Sequence, residues 1–455
     1  MLQLLRDHEG YPELTERALK EIRLKMNLRL RNATAEQQEE GAEKALQLVS
    51  EFLENGQSSQ HGIVYNHTNI RRAADSFISR RQTAQAVREL DPVGVTARTQ
   101  KQHRRRGRYI VPGPMRVWSA DGHDKLKDFG IEIYGIIDAY SRYIVFIYVG
   151  ISSRTAVAVQ KFFLIAVDEH GVPYLLRSDK GVETFLMAEC QYRLRQANNP
   201  DVSFRETYAF GTSPRNIKIE SWWNTLASGQ TEQWVKYFEG LKGEGLFDGS
   251  WVDKTAIRYC FLEEIRRQVN EFVVTHHLHK IRKQRSRESY LPVGKPDQLF
   301  NYPGEGVENF GQPADPDLLA ELKKEVEDFD HEAYQTPEVE KFCSETLTQA
   351  GFPLPSTWKF NANNPIPKQA YIHLRNALWE REKSGPELPK MEKPKGARNW
   401  IDERQREREE IQRQIMEEVA RLEANPDLNH HDRFDEGEAN ETERENSIAS
   451  DRDAD

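Results

Sequence analysis

The sequence lacks both the long apolar runs of a membrane protein and the cysteine pattern of a secreted disulfide scaffold. No stretch approaches the roughly 20 apolar residues of a membrane-spanning helix, and the first residues soon turn charged, unlike a signal peptide. The three cysteines, Cys190, Cys260 and Cys343, are odd in number and widely spaced, which fits neither a disulfide framework nor a thiolate zinc knuckle. We therefore expect an intracellular protein whose cysteines are reduced and buried.

The charge is unevenly distributed along the chain. The 455 residues carry a net charge of −9. Between Arg71 and Arg108 there are eleven Arg or Lys and three acids, whereas between Asp427 and Asp455 there are eleven acids and three Arg. The tail therefore carries most of the net charge, and the basic segment is suited to contact nucleic acid.

A pair of short helices is predicted within the basic segment. Residues 68–78 form the first, and Ser79 with Gln82 has the spacing of a capping box that opens the second, residues 80–90. Two tightly joined helices rich in arginine are typical of a helix-turn-helix, so residues 1–95 are predicted as a helical, DNA-binding region. A helical packing module with solvated arginines is an equally good interpretation. The candidate DNA-contacting residues are Arg71, Arg72, Arg80 and Arg81.

Residues 96–110 are predicted as a basic linker. Pro92 and Gly94 end the helices, and the polar stretch that follows contains Arg104, Arg105 and Arg106. These arginines are candidates for phosphate contact. A solvated spacer or a nuclear-import signal is the alternative.

From residue 111 the composition changes to runs of β-branched and aromatic residues. Residues 116–121, 131–137 and 143–149 are predicted as three strands, and residues 174–178 as a short fourth strand. Helices are predicted between and after the later strands. This order predicts a mixed α/β layer fold for residues 111–302.

Three acids are candidates for metal-dependent phosphodiester chemistry. Asp121 ends the first predicted strand, Asp179 follows the fourth, and Glu220 lies on a later helix. If the first and fourth strands are neighbours, both aspartates emerge at one edge of the sheet, where carboxylates could hold two divalent ions about 4 Å apart. Asp138 precedes a turn and Ser141, where an Asx-turn is the better explanation. Other glutamates compete with Glu220 for the third position: Glu183, Glu206 and Glu232.

Four motifs in this order resemble a known family. They are Asp121-Gly-His123, Ile137-Asp-Ala-Tyr-Ser-Arg142, Ser178-Asp-Lys-Gly-Val-Glu183 and Asn216-Ile-Lys-Ile-Glu-Ser-Trp-Trp-Asn224. The set resembles the integrase core, the retroviral integrase-like catalytic domain, and looks closest to that of eukaryotic mobile elements. The resemblance implies a ribonuclease H-like mixed sheet flanked by helices. It also implies that Asp121, Asp179 and Glu220 form a catalytic triad that binds Mg²⁺ or Mn²⁺.

The sequence departs from the family in two places. No cysteine precedes Cys190, so the family's N-terminal His-His-Cys-Cys zinc module is missing. The interval between Asp179 and Glu220 is also a few residues longer than usual, which implies an insertion near residues 198–207. Recognition of DNA ends is therefore assigned to the helix pair at 68–90.

Further DNA-contacting residues are expected near Glu220 and after the long helix 251–274. Lys218 and Asn224 flank Glu220, although a solvated Asn224 is an equal alternative; Trp222 and Trp223 are expected to pack the helix onto the sheet. Residues 276–287 are predicted as a phosphate-facing basic segment. Its candidate contacts are Lys280, Arg282 and Lys283.

The remainder of the chain carries little functional signal. Residues 303–400 are predicted as an irregular, proline-containing region, because the prolines interrupt the periodicity. Residues 401–424 are predicted as a helix with a narrow apolar stripe, better read as solvated than as paired. The acidic tail, 425–455, is predicted to be disordered.

The sequence therefore predicts an integrase- or transposase-like polynucleotidyl transferase that acts on DNA in the nucleus. Metal-activated water would cut one strand, and the freed 3′-hydroxyl would attack a target phosphodiester. Bringing two DNA ends together requires at least two copies, so a homo-oligomer is expected, and no membrane partner. Two alternatives stay open: a domesticated, non-catalytic DNA-binding scaffold, and a plain ribonuclease H-like nuclease.

Overall fold

A computed structural model describes most of the chain. The described residues are 15–25, 35–54, 63–74, 78–92, 95, 111–179, 181–211, 217–281, 292–358, 364–391 and 405–424. Within these ranges no helix is both long and apolar enough to cross a membrane. Several predictions lie outside them: Arg104, Arg105 and Arg106 in the linker, Arg282 and Lys283, and the acidic tail.

Five strands form one mixed sheet in the order β3-β2-β1-β4-β5. The strands are β1 Val117–His123, β2 Glu132–Asp138, β3 Ile144–Gly150, β4 Leu175–Asp179 and β5 Tyr208–Gly211. β1, β2 and β3 are joined antiparallel, whereas β4 runs parallel to β1 and β5 runs parallel to β4. The predicted mixed sheet is confirmed. β5 was not predicted, because Tyr208 and Phe210 provide too short an alternation to identify a strand.

Helices cover both faces of the sheet. They are α5 Ala156–His170, α6 Phe185–Asn198, α7 Phe204–Thr207, α8 Ile217–Leu226, α9 Glu232–Gly243 and α10 Trp251–Leu278, and they follow four N-terminal helices: α1 Glu16–Lys25, α2 Ala35–Glu54, α3 Ile63–Ala73 and α4 Arg80–Leu90. In β2, Ile133 and Ile137 pack into the layer of α8 to α10, whereas Tyr134 and Ile136 pack into the layer of α5 and α6. A strand buried on both faces is apolar in its middle, which is the pattern of residues 133–137 between the acids at the two ends of β2.

Asp138 closes the turn between β2 and β3. Its Oδ2 accepts hydrogen bonds from the Ser141 backbone N at 2.8 Å and from Ser141 Oγ at 2.6 Å, and its Oδ1 accepts one from Met115 N at 2.8 Å. Burial nevertheless raises the pKa of Asp138 to about 6. The expected structural role of this acid agrees with these contacts.

The helical N-terminus is confirmed, and it rests on α10. The capping box of α4 is present: Gln82 N donates to Ser79 Oγ at 3.3 Å, and Ser79 N donates to Gln82 Oε1 at 2.8 Å. Tyr65 Oη on α3 donates to the carbonyl oxygen of Phe272 on α10 at 3.1 Å. The helix pair is thus attached to the same long helix that supports the sheet.

Residues 303–400 differ from the irregular region predicted for them. They follow α11 Pro296–Asn301 and contain three helices: α12 Pro316–Lys324, α13 Pro337–Gln349 and α14 Ile366–Ser384. Pro316 and Pro337 stand in the first turn of their helices, where proline is favoured because its missing N–H would have no partner there. The prolines that were predicted to break the chain are Pro353, Pro355, Pro365 and Pro367, and the last two stand at the start of α14 rather than in an irregular segment. α13 and α14 then pack on α10 through buried residues that include Cys343 and Leu374.

The last described helix, α15 Gln405–Ala424, is not solvated on its apolar stripe. Ile411 and Ile415 are buried in the layer that contains α6, and Arg205 Nε donates to Glu418 Oε2 at 2.7 Å. The helix itself was predicted, whereas its partner was not, because the surface that it covers is assembled from distant parts of the chain. All three cysteines are buried and unpaired with each other, as expected.

Candidate active site

The sheet places Asp121 and Asp179 side by side. β1 and β4 are parallel neighbours in which Ser119 lies opposite Arg177. Continuing this register by two residues brings Asp121 level with Asp179. The adjacency of the first and fourth strands, on which the prediction depended, is thus present. Asp121 lies inside β1 rather than at its end, because the strand continues to His123.

Glu220 lies on α8, which packs across β1 and β2. Ile219, Trp222 and Leu226 are buried in the core on this side of the sheet. Glu220 follows Ile219 and is half-buried at the border of this apolar face. Its negative charge raises the pKa of both Asp121 and Asp179, because the three acids lie close enough to repel one another.

Burial and mutual repulsion raise the pKa of both aspartates. The pKa of Asp121 is raised to about 7, first by burial and then by the charges of Asp179 and Glu220, while a hydrogen bond from Trp223 opposes this rise. The pKa of Asp179 is raised by burial, then by the charges of Glu220 and Glu183. Clustered acids with raised pKa values are characteristic of functional sites, and a cation would relieve their repulsion.

The carboxylates fit a divalent cation in their chemistry but not as a ready group of ligands. Oδ1 of Asp179 is buried and has no hydrogen-bond partner among the described residues. Carboxylate oxygens are the ligands that Mg²⁺ and Mn²⁺ prefer. In the described part of the chain, however, no three His, Cys, Asp or Glu side chains come close enough together to hold a metal ion. The clustered negative charge and the unpartnered Oδ1 of Asp179 support a cation site. The spacing of the described acidic side chains does not, because it does not bring three of them together.

Trp223 contributes a contact that the sequence analysis missed. Its Nε1 donates to Oδ2 of Asp121 at 2.9 Å, and its ring stacks on His123 with 4.9 Å between centroids. Gly135, which pairs with Asp121 across the β1–β2 ladder, makes room for it, because a Cβ there would lie 2.9 Å from the Trp223 ring. Trp223 was expected only to pack. A glycine inside an apolar strand is the signal that indicates such a close approach.

The glutamates that compete with Glu220 lie in different environments. The charge of Glu183 raises the pKa of Asp179 less than the charge of Glu220 does. Glu206 accepts hydrogen bonds from Ser203 at the start of α7, and Glu232 pairs with Lys236 at 3.0 Å on α9. Glu220 is therefore the better candidate for the third acid, although its role stays a prediction.

The predicted DNA-contacting arginines of the helix pair fall into two groups. Arg71 is exposed near the end of α3, and Arg80 and Arg81 are exposed in the first turn of α4. Arg72 instead donates through Nη1 to the Glu271 carbonyl oxygen at 3.0 Å and to Thr275 Oγ1 at 2.5 Å. It therefore attaches α3 to α10, because its guanidinium is held by that helix.

The remaining predicted contacts lie at two places. Lys218 is half-buried and Asn224 is exposed on α8, where Asn224 Nδ2 donates to the Glu220 carbonyl oxygen at 2.9 Å; Lys280 is exposed just beyond α10. DNA contact by these three residues therefore stays a prediction.

The start of the predicted phosphate-facing segment differs from expectation. A ring nitrogen of His276 bonds the Arg142 carbonyl oxygen at 2.8 Å, and His277 Nε2 accepts from Ile144 N at 3.0 Å. These histidines pack against the β2–β3 turn because α10 crosses it there, and they do not face phosphate.

Comparison with known proteins agrees with this architecture. A family model described as "Integrase core domain" matches residues 108–300, a range that contains all five strands and the three acids. No curated protein matches the chain. The resemblance to the integrase core is confirmed for this range, whereas an origin in a eukaryotic mobile element stays a prediction. Residues 108–300 are therefore an integrase core domain with a ribonuclease H-like fold, a class of domain whose function is in principle polynucleotidyl transfer.

Proposed function

We propose that the protein is an integrase- or transposase-like enzyme that cuts one DNA strand and joins the freed 3′-hydroxyl to a target phosphodiester. The observation that carries this proposal is the position of Asp121 and Asp179 on adjacent parallel strands, together with Glu220, whose charge raises the pKa of both aspartates. The match of residues 108–300 to the integrase core supports it.

Within this proposal, Asp121, Asp179 and Glu220 would hold Mg²⁺ or Mn²⁺. Such ions, when bound, activate the attacking oxygen and stabilise the leaving oxygen. Trp223 fixes the orientation of the Asp121 carboxylate through the hydrogen bond to Oδ2. No covalent intermediate is required, so no Ser or Tyr nucleophile is assigned.

The basic side chains would bind the DNA backbone. Arg71, Arg80, Arg81 and Lys280 are exposed and carry the charge that phosphate contacts require, so the affinity for DNA should fall steeply as salt is added. Bringing two DNA ends together requires at least two copies, and we propose a homo-oligomer on that ground. We also propose a nuclear location, because the substrate is DNA.

The proposal is tested by a strand-transfer assay with the full chain. The substrates are a supercoiled plasmid and a short duplex that mimics an element end, with Mn²⁺ or Mg²⁺. We expect metal-dependent nicking and joined products. Asp179→Asn should lower their rate of formation by at least roughly a hundredfold, which is the loss typical of removing one electrostatic stabiliser of a transition state. Asp168→Asn, an exposed acid on α5 paired with Lys323, is the matched control and should retain activity.

Each other outcome of the assay points to a different conclusion. Undiminished nicking and joining by Asp179→Asn would show that the triad is wrongly assigned. Cleavage of an RNA–DNA hybrid without joining would identify a ribonuclease H-like nuclease.

One observation favours the non-catalytic scaffold as the second candidate. The described acids do not form a ready group of metal ligands. DNA binding by the wild-type chain, with no cleavage in either metal, would decide for the scaffold.

A further inference from the structure

A second cluster of like charges lies where β1 and β4 begin, at the opposite end of these strands from the candidate active site. Arg116 immediately precedes β1, and Tyr174 immediately precedes β4. Tyr174 N donates to the Met115 carbonyl oxygen at 2.8 Å, and Leu175 N donates to that of Arg116 at 3.2 Å. Because β1 and β4 are parallel, these bonds place Arg116 and Tyr174 together at the strand starts, whereas Asp121 and Asp179 lie further along.

Two guanidinium groups contact the one tyrosine ring. The Cζ of Arg116 lies 3.6 Å from the Tyr174 ring centroid, and the Cζ of Arg195, from the last turn of α6, lies 4.3 Å from it. Phe310 contacts Arg116 from a second direction, at 5.2 Å. These separations are within the cation–π range, so the aromatic rings hold both cations in place.

Arg195 is buried with hydrogen-bond donors that have no partner. Its side chain is only 2% exposed, and its Nε and Nη1 make no hydrogen bond within the described ranges. Arg193, two residues earlier on the same helix, pairs with Glu321 at 3.0 Å and Glu325 at 3.7 Å. An unpaired buried guanidinium is costly, because arginine does not lose its charge in proteins.

Among the described residues, the acid whose charge acts on Arg195 already has other partners. The charge of Glu206 acts on Arg195, but the Glu206 carboxylate is held by Ser203 N at 3.1 Å and by Ser203 Oγ at 2.7 Å. The pKa of Arg195 is lowered, first by its burial and then by the charge of Arg116, whereas the charge of Glu206 opposes this lowering. The two cations therefore repel each other, and an anion that contacts both guanidinium groups would relieve this repulsion.

We propose that Arg116 and Arg195, held on the ring of Tyr174, form a binding site for a phosphate group. Two Cζ atoms that contact one ring are at most about 8 Å apart, and a tetrahedral phosphate has oxygens in several directions with which to accept hydrogen bonds from both guanidinium groups. A carboxylate has two coplanar oxygens and bridges separated donors less well. The phosphate comes either from a DNA backbone or from a free phosphorylated molecule. The site does not depend on the proposed catalytic function.

The first test measures thermal unfolding of the full chain with inorganic phosphate, at constant ionic strength set with NaCl. We expect a saturable rise in Tm of about 1.5 °C at ten times the Kd. Arg116→Gln and Arg195→Gln should abolish this rise. Arg193→Gln is the matched control: it loses its own ion pairs and starts from a lower Tm, but it should keep the response to phosphate.

The second test identifies the source of the phosphate. Binding of a fluorescent duplex DNA is measured by anisotropy at several salt concentrations. If the phosphate belongs to DNA, Arg116→Gln should weaken binding and lower the salt slope by about 1. If DNA binding is unchanged while the Tm response is lost, the ligand is a free phosphorylated molecule.

Two results would overturn the proposal. One is a wild-type chain that phosphate stabilises no more than chloride does. The other is a response to phosphate in Arg116→Gln equal to that of the wild type. Arg116 is only half-buried, so this variant remains decisive if Arg195→Gln fails to fold.

Discussion

The two ends of one pair of parallel strands carry opposite charges. Beyond the middle of β1 and β4 lie Asp121 and Asp179, whose pKa values are raised by burial and repulsion. At the starts of the same strands, Arg116 and Arg195 share the ring of Tyr174. Each end gathers like charges that destabilise the fold. The comparison teaches that a rigid strand pair can hold two such clusters, each suited to a ligand of opposite charge.

Asp138, a third acid on the same sheet, shows what a purely structural charge looks like. It is as buried as any side chain in the protein, and three donors within 2.8 Å occupy its two oxygens. Asp179, in contrast, keeps a buried oxygen for which the described residues offer no donor. Hydrogen-bond satisfaction, rather than burial, separates the structural acid Asp138 from Asp179.

The largest expected effect is that of Asp179→Asn on strand transfer, and it distinguishes the acidic end of β1 and β4 from the basic end. Asp179→Asn should lower strand transfer by at least roughly a hundredfold and should leave the phosphate-induced rise in Tm unchanged, because the substitution lies at the other end of β4. The two assays are run on the same preparation. Loss of the phosphate response in Asp179→Asn would show that the two clusters are not independent.

The outer edge of the sheet offers a contrasting environment, in which charge is excluded. Burial lowers the pKa of His277 to about 3, from an ordinary value of 6.5. The stability contributed by this neutral ring is complete above pH 6.5 and is lost as the pH falls towards 3. We expect the chain to lose about 2–3 kcal/mol of unfolding free energy from this group by pH 4.5.

Urea unfolding at pH 7 and pH 4.5 measures this loss. His277→Gln should lose less stability between the two pH values than the wild type, by that amount. His373→Gln, at an exposed position on α14, is the control and should follow the wild type. Equal losses in the wild type and in His277→Gln would contradict the prediction.

Asp138→Asn sharpens the contrast between satisfied and unsatisfied acids. The amide replaces one acceptor by a donor that faces the N–H or hydroxyl groups of Met115 and Ser141, so we expect a loss of about 2 kcal/mol of unfolding free energy. Chemical denaturation measures it. Asp168→Asn, on the surface, should change stability by less than about 0.5 kcal/mol. An unfolding free energy in Asp138→Asn equal to that of the wild type would mean that these hydrogen bonds do not stabilise the turn.

The smallest expected effect concerns the orientation of Asp121. Trp223→Phe removes the indole donor but keeps most of the ring, so strand transfer should fall by roughly tenfold, the value of one hydrogen bond to a charged group. Trp222→Phe is a matched control, because the Trp222 Nε1 is buried without a hydrogen-bond partner in the described ranges. Equal strand-transfer rates for Trp223→Phe and Trp222→Phe would show that Trp223 does not position Asp121.

Much of the sheet could be predicted from the sequence, because local composition determines it. β1 to β3 are dense in β-branched and aromatic residues, and Asp121 and Asp179 follow such runs. The capping box at Ser79 and Gln82 is likewise a local pattern and is present in the structure. The family motifs then placed the three acids in one domain.

The rest depends on contacts between distant segments, which local patterns do not encode. The bond from Trp223 to Asp121 joins α8 to β1, and Arg195 reaches Tyr174 from another helix. Arg72 was read as a DNA contact because its charge is visible in the sequence, whereas its acceptors on α10 are not. Pro365 and Pro367 were read as breaks, although they stand at the start of α14, because proline at the start of a helix looks the same in the sequence as proline in a loop.

The attachment of the N-terminal helices to α10 has a consequence for where a strand would be cut. α10 spans 28 residues, about 42 Å at 1.5 Å per residue, and Tyr65 and Arg72 bind near its C-terminal end. The arginine-bearing surface of α4 therefore sits at a set separation from the aspartates. If the proposed cleavage takes place, this fixed spacing would select a bond at a constant number of base pairs from the sequence bound by α4. Inserting base pairs between that sequence and the cut site should then leave the count unchanged and place the nick at a different phosphodiester.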